Sequence, residues 1–328
     1  AASLRIPVQH VVGYYDFFCR EVVANFQRLR SQTVEQLILG PWDHGTIGKT
    51  RVGDVDFGPN ARLDLAAENL SWFNRFLKGS TGDFPQVRYF SMGDNTWKAS
   101  ADWPPPNASS TWFYLHSQGN ANTRQGGGRL SRQEPGSEPA DVFESDPANP
   151  VPAVPAGNGH AIFETAWGPV DQGVNEDRPD VLVYTTEVLR KPLRFAGPLR
   201  AELNIHSSTI DSDWVVKLID VRPDGFAQNL ATGIQRAGYF ESPLEFRPLV
   251  PGRRYKISVD MGHAAAAVLP GHRLRVEVAG SCFPLYDRNT NTGAGPWGER
   301  VLVSHQRLEH SAGAASGVLL PVIEGEAE

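Results

Sequence analysis

The chain has 328 residues, 40% of them hydrophobic, and a formal net charge of −6. That length suits two domains with real cores, and the acidic balance argues against a nucleic-acid-binding face, which needs clustered Lys and Arg. No apolar run is long enough to span a membrane, and Cys19 and Cys282 alone cannot build a disulfide scaffold or a multi-cysteine zinc site.

Leu4 to Gly13 is rich in Val and Ile and reads as a buried strand closing on a glycine. From Phe18, apolar residues at Val22, Phe26 and Leu29 make one face of a helix. Val34 to Gly40 is a second buried strand, followed by Pro41-Trp42-Asp43-His44. A strand–helix–strand unit of this length is a parallel crossover, and so an α/β layer. From Ala61, the spacing of Leu63, Ala66, Leu70, Phe73 and Leu77 predicts a helix of about four turns, closed by Lys78-Gly79.

The chemistry of this first part lies at its strand ends. Asp16 follows the first strand and His44 the second, so both should emerge at one sheet edge, where open α/β sheets collect their reactive groups. A histidine acts as base when a carboxylate holds its other ring nitrogen in one tautomer. Strand–Asp–helix–strand–His is the order in which an α/β hydrolase delivers the last two members of a Ser…Asp…His triad. The bland readings are an N-cap for Asp16 and a loop histidine for His44. Asp43 reads as a turn residue, and Trp42 as core or pocket wall. Cys19, on the first turn of the helix, reads as structural rather than as a nucleophile. G-x-S-x-G is absent, and Ser3 precedes the first strand instead of ending one. The expectation is therefore a triad whose serine lies outside this chain.

Glycine and proline concentrate after residue 92, which points to a turn-rich β half. Val87 to Met92 and Thr111 to Leu115 are strand-like, separated by Trp103-Pro104-Pro105-Pro106, and a domain boundary is expected between residues 82 and 110. We divide the chain at 85: residues 1–85 as α/β, 86–328 as all-β. Residues 117–160 form a Gly-, Pro- and Asn-rich surface excursion punctuated by Val142-Phe143. Further strands are predicted over Val181–Thr185, Leu199–His206, Trp214–Val221, Arg254–Met261, Arg273–Ala279 and Val301–Gln306. Short alternating strands with Pro/Gly/Asp turns mean a β-sandwich, read here as a jelly roll. The remaining histidines are scattered without metal-ligand spacing, so no metal is expected.

Several stretches together resemble one known family. They are Asp146-Pro147-Ala148-Asn149-Pro150, Gly168-Pro169-Val170-Asp171-Gln172, Arg178-Pro179-Asp180-Val181-Leu182, Asp213 to Val221 and Ser281-Cys282-Phe283-Pro284, with Gly13-Tyr14-Tyr15-Asp16 and Gly40-Pro41-Trp42-Asp43-His44 before them. In this order they resemble the X-Pro dipeptidyl-peptidase and cocaine-esterase (CocE/NonD) serine hydrolases over nearly the whole chain. The resemblance implies the end of an α/β-hydrolase domain followed by a jelly roll, with Asp16 as triad acid and His44 as base. The nucleophile elbow would lie on an N-terminal hydrolase segment preceding Ala1. It implies hydrolysis of a small-molecule ester or amide, dipeptidyl-peptidase activity included, and no cofactor.

The α-amino-acid ester hydrolases of this family carry acidic residues shortly after the triad aspartate. Phe17 and Phe18 stand there in this chain, which implies an apolar, neutral acyl pocket. Phe18 is a pocket candidate and Phe17 is expected in the core. Trp42 and Phe283 are further pocket candidates, Phe283 also fitting a packing role between domains. Two other functions compete. One is a non-catalytic binding module for carbohydrate or protein, with Trp97, Trp103, Trp112, Trp167 and Trp297 as stacking surface. The other is a β domain that shields the site and mediates homo-oligomerisation.

Overall fold

The computed structural model describes residues 4–81, 84–154 and 168–324. Strand β1 (Val8–Gly13) and strand β2 (Glu35–Gly40) pair in parallel, register running from Val8–Glu35 to Gly13–Gly40. Helix α1 (Cys19–Leu29) is their crossover and buries Cys19, Val23 and Phe26. Every residue of β2 is buried, as an interior parallel strand requires. A hairpin of β3 (Arg51–Val52) and β4 (Val55–Asp56) follows. Helix α2 (Leu65–Lys78) comes next, capped by the Asp64 carboxylate, which accepts the Ala67 N–H, and ended by Gly79 in the left-handed region.

Strand β5 (Val87–Ser91) then adds in parallel to β2, and β6 (Thr96–Ser100) returns antiparallel beside it. The first sheet has the order β1-β2-β5-β6, so it runs past residue 85, and the sheet boundary falls between Ser100 and Ala108. Periodicity marks Val87–Ser91 as a strand but carries no information about which neighbour it pairs with, and the partner is β2.

The second sheet is built from β7 (Ala108–His116), β8 (Arg129–Ser131), β9 (Asp141–Ser145), β10 (Val181–Thr185), β11 (Leu193–Ser207), β12 (Asp213–Val221), β13 (Ala227–Arg236), β14 (Tyr255–Val268), β15 (Arg273–Ala279), β16 (Ser304–Glu309) and β17 (Gly317–Ile323). It has 11 strands in the order β13-β12-β15-β10-β8-β7-β17-β11-β16-β9, with β14 on β11. One residue pair, Thr185–Arg129, joins its two arms at β10 and β8. Backbone bonds from Thr123 to Val181 and from Val183 to Ala121 add to this join, and side chains meet as well: Phe143 of β9 packs edge-on against Trp214 of β12, and the Tyr184 hydroxyl donates to Asp141. The excursion over 117–160 contributes β8 and β9 to this sheet.

Strand β12 is buried at every position instead of alternating. Its Trp214, Val216 and Leu218 join the main core, while Val215 packs with Ala153 and Cys282 on the other face. Lys217, on that same face, donates to Gln172. A segment from residue 168 onwards therefore covers what a solvated strand would expose. The main core is continuous across both sheets. At their junction Trp103 donates its indole N–H to His263 Nδ1 at 3.1 Å, and Met92 bridges to Ala266 of β14.

Candidate active site

The ends of β1 and β2 are shaped by one large side chain. Trp42 is fully buried, and a Cβ on Gly13 would lie 1.9 Å from its carbonyl oxygen, one on Gly40 2.3 Å from its ring. Only glycine fits at either strand end. The Trp42 indole N–H donates to the Lys49 carbonyl, which ties down the far side of the loop. Trp42 is thus a core residue and no pocket wall; with no exposed surface it cannot touch a substrate.

Backbone bonds stitch the two turns together: Tyr14 N–H donates to Gly40 O, and Tyr15 N–H to Trp42 O. Asp16 is buried, and its two carboxylate oxygens have different partners. Oδ1 accepts the Phe18 N–H at 2.9 Å, and Oδ2 lies 3.0 Å from His44 Nδ1. The first contact is an Asx turn, not a helix cap; α1 begins at Cys19 with Phe18 before it. Asp43 is buried, and its Oδ1 accepts both the Gly45 N–H and the Thr46 hydroxyl, so it braces the backbone on either side of His44.

His44 is partly exposed, and two phenyl rings flank it. Phe17 lies at 5.1 Å between centroids, tilted by 35°, and Phe18 at 5.4 Å, edge-on. The two phenylalanines touch each other and are 41% and 48% exposed. Phe17 is therefore at the surface beside the imidazole and not in the core. The Asx turn ends before α1 starts, which takes residue 17 off the buried helix face. The position immediately after a candidate acid was the available signal for it.

Phe283 is also exposed, but its backbone pairs with Val151 and Ala153 in the chain beyond β15. Cys19 is a buried thiol, and burial pushes it up to about 12, with the nearby Asp16 charge adding to the effect; it is no thiolate nucleophile. Cys282 is likewise a free, buried thiol. The tryptophans are dispersed. Trp97 packs on Trp42 and Phe90 in the first sheet, Trp103 is buried at the junction, Trp112 stacks on Tyr114, and Trp297 is 89% exposed in a loop. Trp167 lies outside the described residues. Among the described residues no cluster of His, Cys, Asp and Glu is placed to hold a metal ion.

Residues 80–314 match the X-Pro dipeptidyl-peptidase C-terminal non-catalytic domain. The chain is 37% identical to a cocaine esterase of Rhodococcus sp. (strain MB1 Bresler), covering 98% of this chain and 57% of that protein. In structure it matches an aminopeptidase from a marine-sediment Thaumarchaeota archaeon with a TM-score of 0.82 and 30% identity, over 98% of this chain and 55% of the other. An α-amino acid ester hydrolase matches with the same TM-score and 29% identity, over 97% of this chain and 56% of the other. The chain thus spans little more than half the length of these relatives. It belongs to the family of cocaine-esterase-type (CocE/NonD) hydrolases that carry the X-Pro dipeptidyl-peptidase C-terminal domain.

Proposed function

We propose that this chain is the C-terminal portion of a serine hydrolase that cleaves acyl esters or amides: the end of an α/β-hydrolase domain followed by a jelly roll. Asp16 and His44 are the triad acid and base, and the serine is supplied by an N-terminal hydrolase segment. The observation that carries this reading is the 3.0 Å contact between His44 Nδ1 and Asp16 Oδ2 at the carboxyl ends of adjacent parallel strands. With an Nδ1–H donated to Asp16, proton transfer falls to Nε2. The serine hydroxyl passes its proton there as its oxygen attacks the carbonyl. Asp16 stabilises the imidazolium, and His44 then protonates the leaving group and activates the water that releases the acyl-enzyme. Phe17 and Phe18 beside His44 give the acyl site an apolar, neutral wall in place of a carboxylate that would grip an ammonium group.

Two surfaces support the proposed nucleophile segment. Strand β1 is the edge of its sheet, and α2 exposes Leu70, Phe73 and Leu77 along one stripe. A parallel strand and its helix, seated on these, would deliver a serine elbow beside His44.

A fluorophosphonate probe tests the reading. The 328-residue chain alone should stay unlabelled, the protein joined to its nucleophile segment should label, and His44→Ala in that protein should abolish labelling. Labelling at full rate after His44→Ala overturns the assignment.

A further inference from the structure

Residues 80–314 correspond to a non-catalytic domain, yet a strand of that region reaches the turn that holds Asp16. Tyr15 immediately precedes the aspartate. Its backbone N–H donates to the Trp42 carbonyl at 3.0 Å, which ties it to the His44 loop. Its side chain reaches from the first sheet to the second. The hydroxyl donates at 2.9 Å to the backbone carbonyl of Asn229 on β13, with Met92 Sδ at 3.4 Å, and the ring is buried.

The acceptor is built for this contact. The β12–β13 register slips between Leu218–Ala231 and Ile219–Asn229, so Leu230 is an extra residue and Asn229 sits beside a β-bulge. Bulges bend a strand and re-aim its groups, and they gather next to active sites. Asn229 is also fixed from its other end: its side-chain Oδ1 accepts the Val170 N–H at 3.0 Å. The preceding residue of that segment, Pro169, accepts the Asp54 N–H of the β3–β4 hairpin, which follows the His44 loop. The same short segment therefore braces the turn after β1, through Asn229 and Tyr15, and the chain beyond β2.

We propose that Tyr15 is a positioning residue for the Asp16–His44 pair and that the second sheet acts on the site through the Tyr15–Asn229 contact. The effect on turnover rests on the hydrolase reading above; the effect on the pair itself does not. Free of β13, the Tyr15 side chain would no longer fix the rotation of the turn. The Asp16 carboxylate would then lose its alignment with Nδ1 while the surrounding core stayed packed.

The test is Tyr15→Phe, which keeps the ring and removes only the hydroxyl. In the 328-residue chain, the low-field proton NMR resonance of the His44 Nδ1–H reports the pair without any catalysis. It should shift or broaden, while the thermal midpoint, which a merely structural role would move, changes little. In the protein carrying the nucleophile segment, kcat should fall about tenfold with KM within about twofold. Asn229→Ala, which releases Val170, should move the same resonance in the same direction and serves if Tyr15→Phe does not fold. An unchanged His44 resonance in a folded variant overturns the proposal. If the resonance moves but the longer protein never labels with a fluorophosphonate, the positioning role stands and the hydrolase reading falls.

Discussion

At Asp16 each carboxylate oxygen has its own task, one holding the Phe18 N–H and the other facing His44. Asp16→Asn retains an acceptor for Phe18 but offers His44 an amide, which selects the wrong tautomer. On the proposed hydrolase reading, turnover of the protein joined to a nucleophile segment should fall on the order of 10⁴-fold, with the thermal midpoint nearly unchanged; steady-state kinetics and calorimetry check both. A second residue-scale prediction concerns His263 at the sheet junction. Burial holds it down at about 4, the Asp260 charge working against this and the Arg20 charge with it. Its Nδ1 accepts the Trp103 indole N–H, so it is neutral and must stay so. In the unfolded chain it titrates near 6.5. Its contribution to stability is therefore whole above that pH and is lost as pH falls towards 4. The unfolding midpoint should decline over that window, and His263→Gln should flatten the decline.

Among the elements, the two strand-end glycines and α2 behave in opposite ways. Gly13 and Gly40 are boxed in by Trp42. Either one changed to Ala must displace the loop that carries His44 and should cost about 1–3 kcal/mol by overpacking, measurable by denaturant unfolding. Helix α2 is amphipathic, yet of its residues only Trp72 is buried and the stripe of Leu70, Phe73 and Leu77 faces outward. In the isolated chain Leu70→Glu with Leu77→Glu should change stability by less than about 1 kcal/mol. In the presence of the nucleophile segment the same pair should prevent fluorophosphonate labelling, because it puts charge where an apolar partner is proposed to sit. Unimpaired labelling would rule α2 out as that contact face.

Across the whole molecule, burial has forced charge into the core of the second sheet. Lys217 is buried among Gln172 and Glu277, and Arg275 pairs with Glu176. Glu277 is held up at about 7, chiefly by burial and against the pull of Lys217. For a carboxyl raised in this way the cost to folding grows as pH climbs from its ordinary value near 4.5 towards 7, the reverse of His263. Removing the cation by Lys217→Met should leave the buried carboxylates underpaired and destabilise the chain by about 3–5 kcal/mol. The loss should be smaller at pH 5 than at pH 8, as equilibrium unfolding at the two pH values would show. A loss equal at both would mean that the ion pair is not what Lys217 contributes.

What the residues determine by themselves is local. Apolar runs ending in glycine, an 11-residue amphipathic helix between them and a histidine two residues after a buried tryptophan place Asp16 and His44 at adjacent strand ends. That much was legible, because strand and helix periods are properties of neighbouring residues. Pairing is not. Val87–Ser91 reads as a strand in either half, and only β2, whose Leu37 pairs with Val87, assigns it to the first sheet. The same limit hid the bulge beside Asn229, the reach of Tyr15 over 214 positions to meet it, and the surface position of Phe17. Those features come from backbone groups and side chains brought together by long-range packing, whose free energy depends on distances in space that no local pattern encodes.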